Sequence, residues 1–462
     1  MPEVAVPLQS QTTLDLKSLA AEVVTRATQA GATDAEAVVS EGDEFSVTVR
    51  MGEVETLQES GSRGLGLRVF VGQRSASAST SDLTPDGIAQ LVSGAMALAR
   101  VTEEDAFAGL PDPSEFGQLE GDLHLYYEDV YSLPAAERIE QARRAEAASL
   151  AYDSRITNSQ GGHFDAATGR RVLANSRGFL GEYRTSYCGI SAVPLAVDAS
   201  GEMQRDSWSS SARRMADLES PEAIGEEAAR RALRRLGARR VPTQRVPIVF
   251  APEVARSLIG HLFEAASGDS IWRSASFLAG QIGQSIAASN INIVDDHTMM
   301  LPSGAGGFGT SPFDGEGLPT RRTVVVDNGV LQTYLLNTYT ARKLKMRSTG
   351  NATRGGGIGC GNLYLVPGEP TPEEILTEIP NGFYVTSLMG FGANLVTGDY
   401  SRGASGLGIE NGDLTYAVEE VTIAGNLREM FQNITAIGND LVFRGSVAAP
   451  TLRVDGMMVA GA

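Results

Sequence analysis

The half of the chain beyond residue 266 is dense in glycine and in short β-like runs, and this pattern constrains the fold more than any other. Runs such as 323–327 and 330–335 carry β-branched residues and are separated by turn-forming residues. This density of turns is typical of a barrel-like or sandwich β domain. Residues 252–266 and 426–437 instead place apolar side chains at helical spacing. We therefore predict a β-rich C-terminal domain with a few helices.

The N-terminal half alternates helical and strand patterns. Apolar periodicity predicts helices at about 13–31, 84–99 and 135–151. Short runs between 36 and 80 and from 170 to 193 contain β-branched residues with Gly or charged turns between them. These runs predict a mainly antiparallel sheet.

The chain of 462 residues is longer than one hydrophobic core usually organises. Glycine and proline break the pattern at 237–244, just before a strand-like run at 245–250. The predicted fold class is α+β, with an N-terminal α+β domain at 1–236, a linker at 237–244 and the β-rich domain at 245–462.

Composition excludes several classes of function. Apolar residues make up 42% of the chain, but no apolar run is long enough to span a membrane. Residues 1–15 lack the basic and apolar regions of a secretory signal, so we expect a cytoplasmic protein. A net charge of -18 argues against a nucleic-acid partner.

One basic cluster lies at 230–240, after a segment that contains Glu222, Glu226 and Glu227. Acidic residues early and basic residues late complement the dipole of a helix. We expect the arginines to form a solvated helix face and not a polyanion site.

Zinc catalysis needs about three side-chain ligands and an open position for water. The chain has four histidines, at 124, 163, 261 and 297, and no His-Glu-x-x-His motif. His261 and Glu264 are three residues apart and could share a helix face, but two ligands do not make a zinc site. His297 follows Asp295 and Asp296; we expect a turn with solvated aspartates there, with a cation site as the less favoured alternative.

Two glycine-rich segments could also contact a ligand. Residues 304–309 match G-x-G-x-x-G, but flanking prolines and the lack of a following helix favour a flexible loop over a dinucleotide site. In the segment 398–406, Asp399, Tyr400 and Arg402 could bind an extended peptide substrate. The alternative is a tight turn with an internal Asp399–Arg402 pair.

Several segments in the same order resemble the TldD/PmbA peptidase family, in particular its PmbA branch, also called TldE. They cover about 250–440, and they are LIGH at 258–261, SASFL at 274–278, SPFDGEG at 311–317, YTARKL at 339–344, STGNA at 348–352, TGDYSRGA at 397–404 and IAGNL at 423–427. The combination is specific although each segment alone is not.

This resemblance implies that a catalytic zinc site is missing here. TldD-type members carry a His-Glu-x-x-x-His helix and a cysteine ligand near the C-terminus. The corresponding positions in this chain are Phe263, Glu264 and Gly268, and residues 444–450 contain no cysteine. Without zinc, Glu264 cannot activate water, so a structural or vestigial role is expected for it. The resemblance thus implies no catalytic residue, no metal and no cofactor in this chain, with zinc in a partner subunit.

The function implied by the resemblance is that of the metal-free subunit of a heterodimeric zinc metallopeptidase. Its partner would be a TldD-type subunit and its substrate an unfolded or modified peptide. Two alternatives stay open from the sequence. One is a non-enzymatic homodimer that binds peptides or regulates another protein, and the other is a self-sufficient hydrolase that uses Glu264 with His261 and His297.

Overall fold

The computed structural model describes residues 15–461. Its helices are α1 Leu16–Gln29, α2 Pro85–Val101, α3 Asp129–Ser132, α4 Ala135–Ala151, α5 Pro221–Leu233, α6 Pro252–Ala266, α7 Gly268–Trp272, α8 Thr338–Leu344, α9 Pro372–Thr377 and α10 Leu427–Gln432. The helices predicted near 13–31, 84–99, 135–151 and 252–266 are confirmed as α1, α2, α4 and α6.

The strands lie in both halves of the chain. They are β1 Asp34–Arg50, β2 Glu53–Val71, β3 Arg74–Thr80, β4 Ile156–Asn175, β5 Leu180–Val197, β6 Met203–Arg205, β7 Trp208–Ala212, β8 Gln244–Phe250, β9 Ile293–Asp296, β10 Arg322–Asp327, β11 Val330–Leu331, β12 Asn362–Leu365, β13 Asn381–Met389, β14 Asp399–Glu410, β15 Asp413–Asn426, β16 Ile434–Ile437, β17 Val447–Ala448 and β18 Leu452–Ala460.

The strands of the N-terminal half form one sheet with the order β3-β2-β1-β4-β5-β6, and β7 pairs with β5 at its far end. The short runs predicted between 36 and 80 merge into the long strands β1 and β2 and the shorter β3. The chain divides into two compact units when residues are grouped by the contacts between them. Each of the long strands β1, β2, β4 and β5 has residues in both units. One unit comprises the residues up to Gly42, Ser62–Gly117 and Arg170–Tyr183, and the other comprises Asp43–Gly61, Gln118–Gly169 and Arg184 onwards.

The C-terminal half contains two further sheets. One has the order β11-β10-β9-β12-β17, and the other has the order β15-β14-β13-β8-β18-β16. An additional antiparallel pairing of β15 with β18 closes five strands of the second sheet into a barrel. The predicted α+β class, with an antiparallel N-terminal sheet and a barrel-like C-terminal region, is confirmed. The division into domains at 237–244 stays a prediction.

Helix α6 packs against this part of the molecule and helps to form its core. Its buried residues Leu258, Ile259 and Leu262 belong to one apolar cluster with Ile248 of β8 and Val454 of β18. Burial of a Leu or Ile side chain stabilises a fold by roughly 1.5–3 kcal/mol relative to exposure. The cluster therefore fixes α6, on which the candidate site depends.

Two predictions of local structure are wrong in part. The apolar stripe at 426–437 is helical only as far as Gln432, and Ile434–Ile437 forms strand β16 against β18. Its spacing suits a helix, but the sheet edge of β18 provides backbone partners that a helix would not use. The run at 330–335 likewise contains only the two-residue strand β11.

The arginines after Glu227 were expected to be solvated, and this is wrong for Arg231. Helix α5 does place Glu222 in its first turn and Arg230 and Arg231 in its last turn. However, Arg231 is only 7% exposed, and Arg234 is half-buried, so burial lowers the pKa of its guanidinium. Among the described residues, no helix is both long and apolar enough to cross a membrane.

Candidate functional site

Helix α6 carries Phe263 and Glu264, two of the residues that the family resemblance compares with a zinc-binding motif, near its C-terminal end. Proline at its first position is preorganised for a helix start, and seven buried apolar residues recur along one face. The helix ends at Ala266 because Ser267 adopts an extended backbone with φ -65° and ψ 133°. A second short helix, α7, starts at Gly268. Positions 263 and 268 therefore lie on either side of a break in the helix.

The structure places Phe263 and Gly268, which the resemblance compares with two zinc-binding histidines, in different surroundings. Phe263 is partly buried and packs against the apolar core of the C-terminal half. Gly268 is buried against α8: a Cβ atom at this position would lie 2.5 Å from Thr340 Oγ1 and 2.7 Å from Leu336 Cδ2. Real Cβ atoms essentially never approach so closely. A histidine at 268 would thus require the side chains of Thr340 and Leu336 to shift.

The segment that would supply the cysteine ligand is occupied by other contacts. Ser446 accepts a backbone hydrogen bond from Leu363 at 2.8 Å, while Ala448 and Ala449 are buried. Across the part of the chain that the structure describes, no three His, Cys, Asp or Glu side chains are grouped so as to hold a metal ion. The residues present at this site do not fit a catalytic zinc ion.

His261 and Glu264 do meet on α6, as their spacing predicts. His261 Nδ1 lies 3.6 Å from a carboxylate oxygen of Glu264, which is beyond a normal hydrogen bond. Burial lowers the pKa of His261, while the Glu264 carboxylate acts in the opposite direction. The Glu264 side chain is 58% exposed, so it is accessible to a molecule outside the chain.

Two of the three predicted substrate-binding residues approach this pair. The rings of Tyr400 and His261 pack edge to face with centroids 6.1 Å apart. Burial raises the pKa of Tyr400 to about 12, and the charge of Arg402 works against this rise. The same Arg402 charge also lowers the pKa of His261. The structure therefore brings His261, Glu264, Tyr400 and Arg402 together.

Three polar atoms in this group are buried without a hydrogen-bond partner among the described residues: His261 Nε2, Tyr400 OH and Arg402 Nε. An unsatisfied buried polar group costs about 1–3 kcal/mol, and native proteins contain few of them. Three such atoms in one group of residues call for an explanation, and contact with a bound molecule is one that fits this cluster. We refer to His261, Glu264, Tyr400 and Arg402 as the α6–β14 cluster.

Asp399, the third predicted residue, does not belong to the cluster. Neighbours along a strand point to opposite faces, and Asp399 accepts hydrogen bonds from Thr397 Oγ1 at 2.7 Å and Asn426 Nδ2 at 3.2 Å. The alternative of an internal Asp399–Arg402 pair is wrong, since Asp399 uses these other partners. Residues 399–402 also belong to a strand and not to a tight turn.

A buried polar layer was missed by the sequence reasoning. Asp295, Asp296 and His297 are 0%, 8% and 7% exposed, so the expected turn with solvated aspartates is wrong. Asn351 Nδ2 donates to Asp295 at 2.6 Å and lies 3.1 Å from His297 Nε2. The backbone amide of Gly361 also donates to Asp295 at 2.7 Å. These partners compensate the burial of the carboxylate.

Asp314 and Glu316 extend this layer and are 6% and 2% exposed. Burial, followed by the neighbouring Glu316 carboxylate, raises the pKa of Asp314 to about 7. Glu316 accepts a hydrogen bond from the Thr338 amide at the start of α8, and α8 is the helix that blocks position 268. The SPFDGEG segment was the signal in the sequence that could have indicated these two buried carboxyl groups. It contributed to the family resemblance, but no role was assigned to its residues.

The glycine-rich loop 304–309 is held by hydrogen bonds and does not offer its amides to a phosphate. The amides of Gly306, Gly307 and Gly309 donate to His124 O, Met299 O and Asn362 Oδ1, respectively. The buried guanidinium of Arg213 donates to the carbonyl groups of the same loop. A dinucleotide site needs free amides here.

Comparison with known proteins identifies the class. Models of the PmbA/TldA metallopeptidase family match in three parts: domain 1 over residues 35–99, the central domain over 128–236 and the C-terminal domain over 243–461. The metalloprotease PmbA of Escherichia coli O157:H7 is 39% identical over 428 residues, covering 92% of each chain. The fold and these matches define a protein of the metallopeptidase type. The chain belongs to the PmbA/TldD family.

Solved structures agree with this assignment. A Bacteroides thetaiotaomicron protein described as a candidate modulator of DNA gyrase matches with a TM-score of 0.89 and 28% identity, covering 97% of this chain and all of the other. TldE of Thermococcus kodakarensis has the same fold, with a TM-score of 0.84 and 20% identity over 96% of this chain and all of the other.

Proposed function

We propose that this chain is the metal-free subunit of a heterodimeric zinc metallopeptidase that acts on unfolded or modified peptides in the cytoplasm. The observation that carries the proposal is Gly268, whose surroundings leave no room for a Cβ atom where a zinc-binding histidine would stand. Phe263 supports it, because its packing in the core gives an apolar role to the other ligand position. The zinc ion and the bond-breaking step belong to a TldD-type partner.

The role proposed for this chain is to form part of the chamber wall and to position the substrate through the α6–β14 cluster. The main chain at the start of β14 is already paired, since Ser401 N donates to Gly392 O at 2.7 Å. Side chains are therefore the proposed means of contact. Arg402 would donate to a substrate carbonyl or carboxylate, as a guanidinium is suited to do.

Positioning alone can contribute to the rate, because holding reactants in the correct orientation lowers the barrier by several kcal/mol. A subunit without chemistry of its own can thus be required for activity. Glu264 would not act as a base on metal-bound water in this arrangement, because the described residues around it do not group three metal-binding side chains.

The experiment is co-expression with a TldD-type paralogue, followed by size analysis, zinc determination and peptide cleavage for each chain alone and together. We expect a one-to-one complex in which zinc and activity require the partner. A stable homodimer that ignores the partner would favour the peptide-binding or regulatory alternative. Stoichiometric zinc and activity in this chain alone would overturn the proposal.

A second arm tests the positioning role within the complex. Replacing Arg402 by Gln removes one charge-assisted donor, so kcat/KM should fall roughly 10- to 100-fold. Complex formation and zinc content should not change. The matched control is Arg240→Gln, because Arg240 is exposed and pairs with Glu420 outside the cluster. An equal effect of both variants on cleavage would refute a specific role for Arg402.

A further inference from the structure

A cavity of about 690 Å³ lies at the opposite end of α6 from the α6–β14 cluster. Its lining includes Pro252 and Glu253 in the first turn of α6, together with residues of α5 and β13. The volume is within the range of about 300–1,000 Å³ that is usual for small-molecule sites. Glu253 and Glu264 are eleven residues apart, which corresponds to about 16 Å along a helix. The cavity is therefore separate from the proposed substrate contact.

Two arginines in the lining have unused hydrogen-bonding capacity. The Arg231 side chain is 8% exposed, and its nearest carboxylates are Asp206 at 3.6 Å and Glu253 at 3.5 Å, both beyond a normal hydrogen bond. Its Nε is buried without a hydrogen-bond partner among the described residues, as is Asp206 Oδ2. Buried guanidinium groups normally satisfy their five donors.

Arg234 lines the same cavity. Burial, and then the charge of Arg231, lower the pKa of Arg234. The Asp206 carboxylate, 3.6 Å from Arg231, offsets part of the repulsion between these two partly desolvated cations. A second anion placed against the two guanidinium groups would offset more of it. This makes their side of the cavity suited to a carboxylate, which a guanidinium binds through two parallel hydrogen bonds.

The cavity also contains acidic groups, which distinguishes it from a simple anion site. Burial raises the pKa of the Tyr384 phenol to about 12, and the nearby carboxylates of Glu253 and Asp440 also raise it. The guanidinium groups of Arg234 and Arg231 act in the opposite direction. Both signs of charge therefore converge around Tyr384. A phosphate dianion would meet the arginines but would be repelled by these carboxylates.

Apolar groups complete the lining. Trp208, Leu388 and Val442 contribute to the wall, and the guanidinium groups of Arg231 and Arg444 lie 4.9 Å and 4.0 Å from the centre of the Trp208 ring. A ligand that matches the cavity thus has one negative group, one positive group and an apolar body.

We propose that this cavity binds a zwitterionic free amino acid or short peptide. Arg231 and Arg234 would receive its α-carboxylate, Glu253 and Asp440 its ammonium group, and Trp208 an apolar side chain. This proposal goes beyond the proposed subunit role and does not depend on it, because the cavity requires neither the partner nor the α6–β14 cluster.

The test is calorimetric titration of the full-length chain with leucine, Leu-Leu, N-acetyl-Leu-Leu, Leu-Leu amide and inorganic phosphate. Leucine or Leu-Leu should bind, and blocking either terminus of Leu-Leu should weaken binding at least about 10-fold. If the blocked peptides bind as well as the free one, if phosphate binds more tightly, or if no probe binds at millimolar concentration, the proposal is wrong.

Arg234→Gln tests the site without removing an ion pair, since no side-chain hydrogen bond or ion pair joins Arg234 to another residue in the described range 15–461. Its backbone amide, which donates to Arg230 O at 3.2 Å, is unaffected by the substitution. It should weaken Leu-Leu binding at least about 10-fold while the melting temperature stays unchanged. Arg240→Gln, an exposed arginine outside the cavity, is the control and should bind normally. Normal binding by Arg234→Gln would overturn the assignment.

Discussion

Gly268→Ala tests the observation on which the proposed function depends. A Cβ atom at 268 would lie 2.5 Å from Thr340 Oγ1 and 2.7 Å from Leu336 Cδ2. Thr340 cannot turn away freely, because its hydroxyl donates to Asn337 Oδ1 at 2.8 Å in the cap of α8. Inserting a methyl group into a packed core typically costs about 1–3 kcal/mol. The variant should therefore be less stable by that amount.

Gly260→Ala is the control, because Gly260 lies in α6, the helix that precedes α7, and a Cβ atom there meets nothing within 4 Å. Alanine is a better helix former than glycine by about 1 kcal/mol, so this variant should be more stable. The same substitution in these two successive helices should thus change the stability in opposite directions.

The assay is thermal unfolding of both variants beside the parent chain, followed by zinc determination after incubation with the metal. We expect a lower Tm for Gly268→Ala, a higher Tm for Gly260→Ala and no bound zinc in either. If Gly268→Ala is as stable as the parent, position 268 has room for a side chain. The steric argument against a histidine at this position would then fail.

Three further outcomes follow from the same structure. Phe263→His should not create a zinc site, since Gly268 and the segment 444–450 still provide no ligand; stoichiometric zinc by metal analysis would contradict this. Tyr400→Phe removes a buried hydroxyl that has no hydrogen-bond partner among the described residues, so it should leave the Tm unchanged or raise it; a clear fall in Tm would show that the hydroxyl has a partner. Asp314 is favoured in its neutral form in the folded protein, because its pKa rises from 3.8 to about 7; its contribution to stability is complete below about pH 4 and is lost as the pH rises to about 7. Asp314→Asn should therefore reduce the pH dependence of the Tm over this interval, and an unchanged pH profile would contradict it.

Local patterns in the sequence were sufficient for the long helices and for the fold class. Helix α4 lies at the predicted residues 135–151, and α6 at 252–266, because apolar periodicity and the proline at the start of α6 are properties of neighbouring residues. The helix prediction for 434–437 was wrong because the structure of this segment depends on its pairing with β18, about twenty residues further along the chain. Pairing between distant segments is not visible in a local period.

The candidate site divides in the same way. The family resemblance implied that Phe263 and Gly268 stand at two zinc-ligand positions. The sequence by itself determined that His261 and Glu264 could share a helix face, and that an acid, a phenol and a guanidinium lie within residues 399–402. Residue identity and spacing are enough for such statements.

Only the tertiary structure decided which of these residues meet. It placed Tyr400 and Arg402 beside His261 and turned Asp399 towards Asn426, because successive side chains of β14 point to opposite faces. It buried Asp295 and Asp296, which were expected to be solvated, and it buried Arg231 in the wall of a cavity. Burial and the approach of α8 to Gly268 depend on packing between segments far apart in the chain, and this packing sets the charge state and accessibility on which function depends.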